Sequence, residues 1–138
     1  MKTKIREAAS EAATAPFDLE TTYLALDGKG EVIPMPVTPD FWMAIDSSPA
    51  ASRSMIGVYP VETDWPHWEM HPEGAEILVL IDGELDMLLE EDGAQRVAPM
   101  AAGTTLIVPA GAWHRALVRA PGRLLAVTYG PGTEHRPA

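Results

Sequence analysis

The stretch from His67 to His114 constrains this chain more than any other part of it. It begins with three polar residues at alternating positions, His67, Glu69 and His71, separated by single apolar residues. In a β-strand alternate residues share a face, so these three side chains would point one way. Histidine and carboxylate side chains that converge on one strand face are typical of half of a metal site.

The second half of such a site comes from two apolar segments that follow. Glu76 opens the run Glu76–Ile81, where its unpaired carboxylate would be costly to bury unless a metal or an arginine offset the charge. Later in the chain, the stretch Gly103–His114 places another histidine at the start of an apolar strand. A neutral imidazole is a common ligand for transition metals.

The first of these segments resembles the first motif of the cupin family, G-x5-H-x-H-x(3–4)-E-x6-G. Its second histidine corresponds to His71, its glutamate to Glu76 and its closing glycine to Gly83. Two positions depart from the motif, because Thr63 stands for the opening glycine and Glu69 for the first histidine.

The second segment resembles the second cupin motif, G-x5-P-x-G-x2-H-x3-N. It is matched at Gly103, Pro109, Gly111 and His114, and Val118 replaces the closing asparagine. The resemblance covers roughly residues 55–130. It implies an all-β fold, a double-stranded β-helix or jelly-roll barrel. The chain is then divided into an N-terminal extension (1–52), the barrel (53–132) and a C-terminal tail (133–138).

Local signals agree with a β-rich chain. The 11 glycines and 13 prolines follow no repeat, so they indicate many tight turns between short strands. We expect a short helix over Lys2–Ala13, strands over Thr21–Leu26 and Phe41–Ile45, and turns at Gly83 and at Pro121-Gly122. The tail after Gly130 is expected to leave the barrel, or to fold across its mouth.

The resemblance implies one divalent transition metal per chain, either Fe, Mn, Zn or Ni. His71, His114 and Glu76 are the predicted ligands. Glu69 is predicted as a further ligand, with a substrate contact or general base as its alternative roles. His67 lies one step further out on the same strand face, so it could replace the missing histidine or contact substrate at the rim.

Two tyrosines complete the predicted pocket. Tyr59 and Tyr129 are candidate acids inside the barrel, and together with His67 they form the substrate-pocket candidates. The aromatic pair Phe41 and Trp42 would cover either the barrel mouth or a subunit interface, and from this pair we expect a homodimer.

Composition excludes several classes of function. The net charge of −10 and the lack of a Lys/Arg cluster argue against nucleic-acid and anionic-membrane partners. No cysteine is present, so thiolate ligands and disulfides are excluded. The phosphate-binding glycine motifs and the G-x-S-x-G nucleophile elbow are absent. The N-terminus has no apolar signal segment, which predicts a cytoplasmic protein.

Two functions therefore stand as hypotheses. The first is a mononuclear-metal enzyme, similar to cupin dioxygenases, isomerases or lyases, that acts on a small organic molecule. Two histidines and one carboxylate suit non-haem Fe(II) and O₂ chemistry, which favours an oxidoreductase. The second is a non-catalytic cupin module that binds or senses a metal or a small ligand.

Overall fold

Nine antiparallel strands make up most of residues 15–138, the part of the chain that the structure, a computed structural model, describes. Their bounds are Thr22–Leu26 (β1), Val32–Pro36 (β2), Ser54–Val61 (β3), His67–Met70 (β4), Glu76–Glu91 (β5), Ala94–Ala101 (β6), Thr105–Val108 (β7), Trp113–Tyr129 (β8) and Glu134–Pro137 (β9). A short helix, Phe41–Ala44 (α1), and two 3₁₀ turns, Ile45–Ser47 and Pro49–Ser52, precede β3. The predicted all-β fold is confirmed, whereas the helix expected over Lys2–Ala13 lies outside the described residues. No helix in residues 15–138 has the length and apolar character of a membrane span.

Strand β8 holds the sheet together because it pairs along both of its edges. One edge pairs with β5 over nearly the whole length of β8. The other edge pairs with β3 and, at His114 opposite Glu69, with β4. The resulting strand order is β2-β1-β3-β8-β4-β9, with β5 joining β6 and β7 to the other edge of β8. Two of the candidate ligand-bearing strands, β4 and β5, are thus placed on either side of the third.

Both long strands bend where the sequence predicted turns. Gly83 and Gly122 lie within continuous strands, so the prediction of separate strands on each side of them is wrong. The pairing of β5 with β8 shifts register between Leu80 and Leu85, as it does at a β-bulge. Even-numbered residues of β5 are buried before this bend and odd-numbered ones after it. The bulge therefore lets Glu76 and the far half of β5 face the same interior.

The barrel interior is filled by aliphatic side chains from five strands, β3, β5, β6, β7 and β8. Its fully buried members include Leu78, Leu80, Leu85, Met87 and Leu124. A second cluster lies beside the barrel, where β1 and β2 pack on the segment before β3. It contains Tyr23, Ala25, Met35, Phe41, Ala50 and Met55. This second cluster fixes the position of α1 at one end of the barrel.

The segment Phe41–Ala44 is a helix, so the strand prediction there is wrong. Phe41 is buried and its ring meets that of Tyr23 edge-on at 5.1 Å between centroids, whereas Trp42 is 54% exposed. Four residues are too few for helical periodicity to appear in a sequence, and the aromatic residues of this stretch favour a strand by propensity. Packing of Phe41 against the second cluster decides the outcome. The homodimer that this segment suggested stays a prediction.

The C-terminal tail returns to the barrel as β9, so the expectation that it leaves the barrel is wrong. Strand β9 pairs with β4, with Glu69 opposite His135. The guanidinium of Arg136 lies over the rings of Trp68 and Trp113, 5.1 and 4.7 Å from their centroids, and pairs with Glu90. Cation–π contacts of this kind stabilise by about 0.5–1 kcal/mol each at exposed sites. They attach the tail to the outer surface of the strands that carry Glu69 and His114.

We expect Gly122→Ala to destabilise the fold by about 2–3 kcal/mol, because overpacking at a site that cannot relax costs this much. A Cβ at Gly122 would collide with the carbonyl oxygen of Asp82, which is backbone and cannot rotate away. Gly130→Ala is the control, since its nearest neighbour would be Thr133 Oγ1 at 3.6 Å. Chemical denaturation of both variants measures the effect. Equal free energies of unfolding would contradict the close approach of β5 and β8.

Candidate metal centre

The structure brings together the four side chains predicted as metal ligands. Glu69 lies in β4, His71 follows that strand directly, Glu76 opens β5 and His114 is near the start of β8. Only 5% of His71, 5% of Glu76 and none of His114 is exposed. The Glu69 side chain is 33% exposed, so it is the one of the four that reaches open space.

The donor atoms of this group lie close to one another. One atom each from Glu69, His71 and His114 falls within 4.8 Å of the other two. The Glu76 carboxylate lies between the two imidazoles, with Oε1 at 3.0 Å from His114 Nε2 and Oε2 at 3.3 Å from His71 Nε2. Glu69 Oε1 is 3.5 Å from His71 Nε2. Glu76 thus belongs to the same cluster as the other three.

Thr133 fixes the tautomer of His71. The hydroxyl of Thr133 donates its only proton to the carbonyl oxygen of Gly130, at 2.7 Å. Its oxygen, 2.8 Å from His71 Nδ1, must therefore accept a hydrogen bond from Nδ1–H. In a neutral imidazole the lone pair then lies on Nε2, the atom that faces Glu76.

His114 is held in the same tautomer by a different group. Its Nδ1 lies 3.2 Å from the carbonyl oxygen of Ala112, which can only accept a hydrogen bond. The Nδ1 atom of His114 therefore carries the proton, and its Nε2 presents a lone pair to the cluster. A hydrogen bond at the outer ring nitrogen is the usual way in which proteins orient a metal-binding histidine.

The chemistry of the donor set fits a divalent metal. His71 Nε2, His114 Nε2 and Glu76 Oε1 are buried and make no hydrogen bond within residues 15–138. Two imidazole lone pairs directed at a carboxylate oxygen repel one another unless a positive charge lies between them, and buried polar atoms are normally satisfied. A metal ion bound by two imidazoles and by one or two carboxylates supplies that charge and uses every free donor.

The ionisation of the group follows from its partners. Without a metal, the charge between these groups can come from protons: when the imidazoles of His114 and His71 are protonated at Nε2, they donate hydrogen bonds to the Glu76 carboxylate. Burial raises the pKa of the Glu76 carboxyl, but these protonated imidazoles outweigh burial and lower this pKa to about 2. Burial lowers the pKa of the His114 imidazole, and the Glu76 carboxylate more than reverses that effect, so the pKa is raised. Glu76 is therefore a carboxylate at any physiological pH, ready to act as an anionic ligand.

Three residues of the cluster, Glu69, His71 and Glu76, line a cavity of about 930 Å³. Strand β8 contributes the inward-facing residues Leu124, Ala126 and Thr128, and the segment before β3 closes the other side. The Thr128 hydroxyl donates a hydrogen bond to Glu76 Oε2, which fixes the carboxylate from the side opposite His114. The cavity volume falls within the range of small-molecule sites, about 300–1,000 Å³.

The three substrate-pocket candidates have different positions. Tyr59 lines the cavity, and burial raises the pKa of its phenol, with the charges of Tyr23, Glu76 and Glu69 adding to the effect. Tyr59 is therefore a neutral hydrogen-bond donor. Tyr129 does not line the cavity, because its odd position on β8 points away from the interior. His67 is exposed and also lies outside the cavity lining, opposite Pro137 of β9.

Sequence reasoning missed three residues of this site. Trp42 and His135 line the cavity, and Thr133 both lines it and holds His71. Trp42 was predicted to cover either the barrel mouth or a subunit interface, in a strand instead of a helix. Thr133 and His135 lie more than 60 residues after His71 in the chain, and a single Thr or His in a Gly/Pro-rich tail carries no periodic signal. A pairing of β9 with β4 is a tertiary contact that no local pattern predicts.

Comparison with known proteins identifies one family. A profile of the cupin domain matches residues 55–129, more than half of the chain. Comparison with curated proteins gives no match.

Several solved structures share the fold. A cupin-2 domain protein of Shewanella frigidimarina is 16% identical with a TM-score of 0.47, over 54% of this chain and 69% of its own. The oxalate decarboxylase of Bacillus subtilis, which has Mn(II) centres, is 20% identical with a TM-score of 0.50, over 61% of this chain and 23% of its own. Peruvianin-I, a cysteine peptidase from Thevetia peruviana latex, is 14% identical with a TM-score of 0.52, over 61% of this chain and 56% of its own. The present chain has no cysteine, so the last likeness concerns the fold alone.

We expect His71→Ala and His114→Ala each to abolish stoichiometric metal binding while the fold stays intact. Each substitution removes a ligand, and the barrel core is formed by aliphatic side chains elsewhere. Affinity should fall by more than about 100-fold, beyond the usual effect of losing a group that only supports a ligand. Elemental analysis and calorimetric titration with Mn(II) or Zn(II) measure it, with circular dichroism to monitor the fold. His67→Ala, on the same strand, is the matched control and should bind metal as the wild type does.

Thr133→Val should weaken metal binding by about 10-fold, because His71 would lose the group that fixes its ring and tautomer. Thr133→Ser keeps the hydroxyl and should restore the affinity to near the wild-type value. Titration with the same metals measures both variants. If valine and serine gave the same affinity, the hydroxyl would not orient His71.

Proposed function

This chain belongs to the cupin family, and we propose that it is a mononuclear-metal oxidoreductase of the dioxygenase type, acting on a small organic molecule. The metal would be one divalent transition ion per chain, either Fe, Mn, Zn or Ni, with Fe(II) as the ion for O₂ chemistry. The proposed reaction consumes one O₂ per substrate and places both oxygen atoms in the product. It therefore needs no external reductant.

One observation carries this proposal. The Nε2 atoms of two imidazoles converge on a buried carboxylate, and His71 and Glu76 of this group line a cavity large enough for a substrate. Two histidines and one carboxylate leave several coordination positions of a metal open. A buried site that only stabilised the fold would have no need of a cavity beside it.

A bound Fe(II) would supply the means of activating O₂ and of polarising a substrate oxygen. The residues of the chain perform the other tasks. The neutral phenol of Tyr59 donates a hydrogen bond to a substrate oxygen. The aliphatic wall formed by residues such as Leu78 and Leu124 excludes water from the reacting atoms.

Glu69 has two roles open to it. As a ligand, it would join Glu76 in neutralising a divalent ion, which favours oxygen-seeking ions such as Mn and Fe over Cu. When it is not coordinated, its carboxylate lies at the cavity and can accept a proton from the substrate carbon next to a carbonyl. The partial exposure of the Glu69 side chain fits a carboxylate that can move between a coordinated and an uncoordinated position.

The Mn(II) centres of the Bacillus subtilis oxalate decarboxylase support a divalent ion in this kind of barrel. The alternative function, a module that binds a metal and a small ligand without turnover, requires the same site. The two functions differ in their consumption of O₂. An assay of turnover therefore decides between them.

We expect Fe(II)-loaded protein to consume O₂ in the presence of a small diketone such as pentane-2,4-dione. The Zn(II)-loaded protein should not, because Zn(II) has no redox chemistry. Glu69→Gln should lower the rate by about 100-fold or more, a typical loss for a group that transfers a proton. Oxygen-electrode traces and product analysis measure turnover, with His67→Ala as a control at the wild-type rate. Metal-dependent binding of ligands without O₂ uptake, across diketones, keto acids and catechols, would favour the non-catalytic module.

A further inference from the structure

The cavity has an aromatic side. Trp42, Tyr59 and Trp65 all line it, and the Trp42 and Tyr59 rings lie 6.1 Å apart at an interplanar angle of 39°. Trp42 is held there by α1, whose buried Phe41 anchors the helix on Tyr23. Trp65 meets the His114 ring edge-on at 6.0 Å, so aromatic surface also reaches the ligand cluster. Flat aromatic walls of this kind favour a flat apolar ligand.

The charged groups of the cavity are almost all negative. Three carboxylates line it, those of Glu69, Glu76 and the exposed Asp46. Among residues 15–138, no lysine or arginine lines it. His135 is the one lining imidazole outside the ligand cluster. A substrate carboxylate would find no guanidinium or ammonium group of the kind that normally binds one.

A metal ion does not reverse this balance. A divalent ion is neutralised by Glu69 and Glu76, and the charge of Asp46 then remains. A negatively charged ligand would lose its hydration beside these carboxylates. No lysine or arginine side chain of residues 15–138 lines the cavity to compensate for that loss. Juxtaposed like charges weaken association at an interface. An uncharged ligand of the same shape avoids that cost.

We propose that this site selects an uncharged, largely apolar ligand with an aromatic ring and a carbonyl or enol oxygen, and rejects ligands that carry a carboxylate. This inference rests on the proposed metal site and names its substrate class. The ring packs against Trp42 and Tyr59. The oxygen faces the ligand cluster, where Tyr59 donates a hydrogen bond to it.

A matched pair of probes tests the selectivity. 1-Phenyl-1,2-propanedione and phenylglyoxylate share the phenyl ketone and differ in an acetyl group against a carboxylate. Binding of each to the Zn(II)-loaded protein is measured by calorimetry at low and high salt, so that no turnover is involved. We expect the diketone to bind at least about 10-fold more tightly at low salt. The ratio of the two affinities should become smaller at high salt, because ions screen the exposed carboxylate of Asp46.

Variants test separately the rejection of a carboxylate and the packing of the aromatic ring. Asp46→Asn should strengthen binding of phenylglyoxylate and leave that of the diketone unchanged. Asp92→Asn, in the β5–β6 hairpin and outside the cavity lining, removes the same charge and should change neither affinity. Trp42→Ala should weaken binding of the diketone by about 10-fold, since stacked aromatic contacts of this size are lost.

The outcomes distinguish this inference from the proposed function. Equal or tighter binding of phenylglyoxylate, or no binding of either probe, would overturn the inference. Selective binding of the diketone without O₂ uptake by the Fe(II)-loaded protein would support the substrate class and contradict the oxygenase. O₂ uptake that is fastest with keto acids would support the oxygenase and contradict the substrate class.

Discussion

The contact on which this structure depends is the Glu76 carboxylate between two imidazoles inside an apolar barrel. Isolated, each of these groups would be expensive to bury. Together they place a carboxylate 3.0 and 3.3 Å from two ring nitrogens, a contact that needs a positive charge between these atoms, while Thr128 donates a hydrogen bond to the carboxylate from another side. The same arrangement leaves three buried donor atoms without hydrogen bonds. A site that is costly as a set of polar groups becomes stable as a set of metal ligands.

The architecture serves that contact through β8. Because both edges of this strand are paired, Glu69 on β4 and Glu76 on β5 come to His114 from opposite sides. Glu76 is at an even position of β5 and Leu89 at an odd one, so in a regular strand they would face opposite sides. The bulge near Gly83 lets both side chains face the barrel interior. The tail adds a further strand, and Thr133, which directly precedes that strand, lines the cavity and contacts His71. Strand pairing, bulge and tail thus each position one part of the centre.

The sequence could predict the parts of this arrangement that repeat locally. Alternation of apolar residues identified the strands, and the spacing of His71, Glu76 and His114 identified the group that the fold brings together. It could not predict that Phe41 would anchor a four-residue helix, because such a helix shows no period. Nor could it predict the return of the tail, since the contacts of Arg136 with Trp68 and Trp113 join residues far apart in the chain. Gly83 and Gly122 were read as turns because bends inside a strand use the same residue.

The two regions that local patterns missed are the ones that shape the cavity. The ligand cluster uses short-range motifs, whereas Trp42 from α1 and Thr133 and His135 from the tail form much of the wall that a substrate would meet. Connections and termini can vary without disturbing the strands that hold a metal. In this chain α1 and the tail bring aromatic surface to the cavity. Among residues 15–138, they bring no lysine or arginine side chain to it. The tail also supports the candidate ligand His71 through Thr133, whereas Trp42 and Asp46 line the cavity without belonging to the ligand cluster, so we expect substitutions at these two residues to alter small-molecule binding more than metal binding.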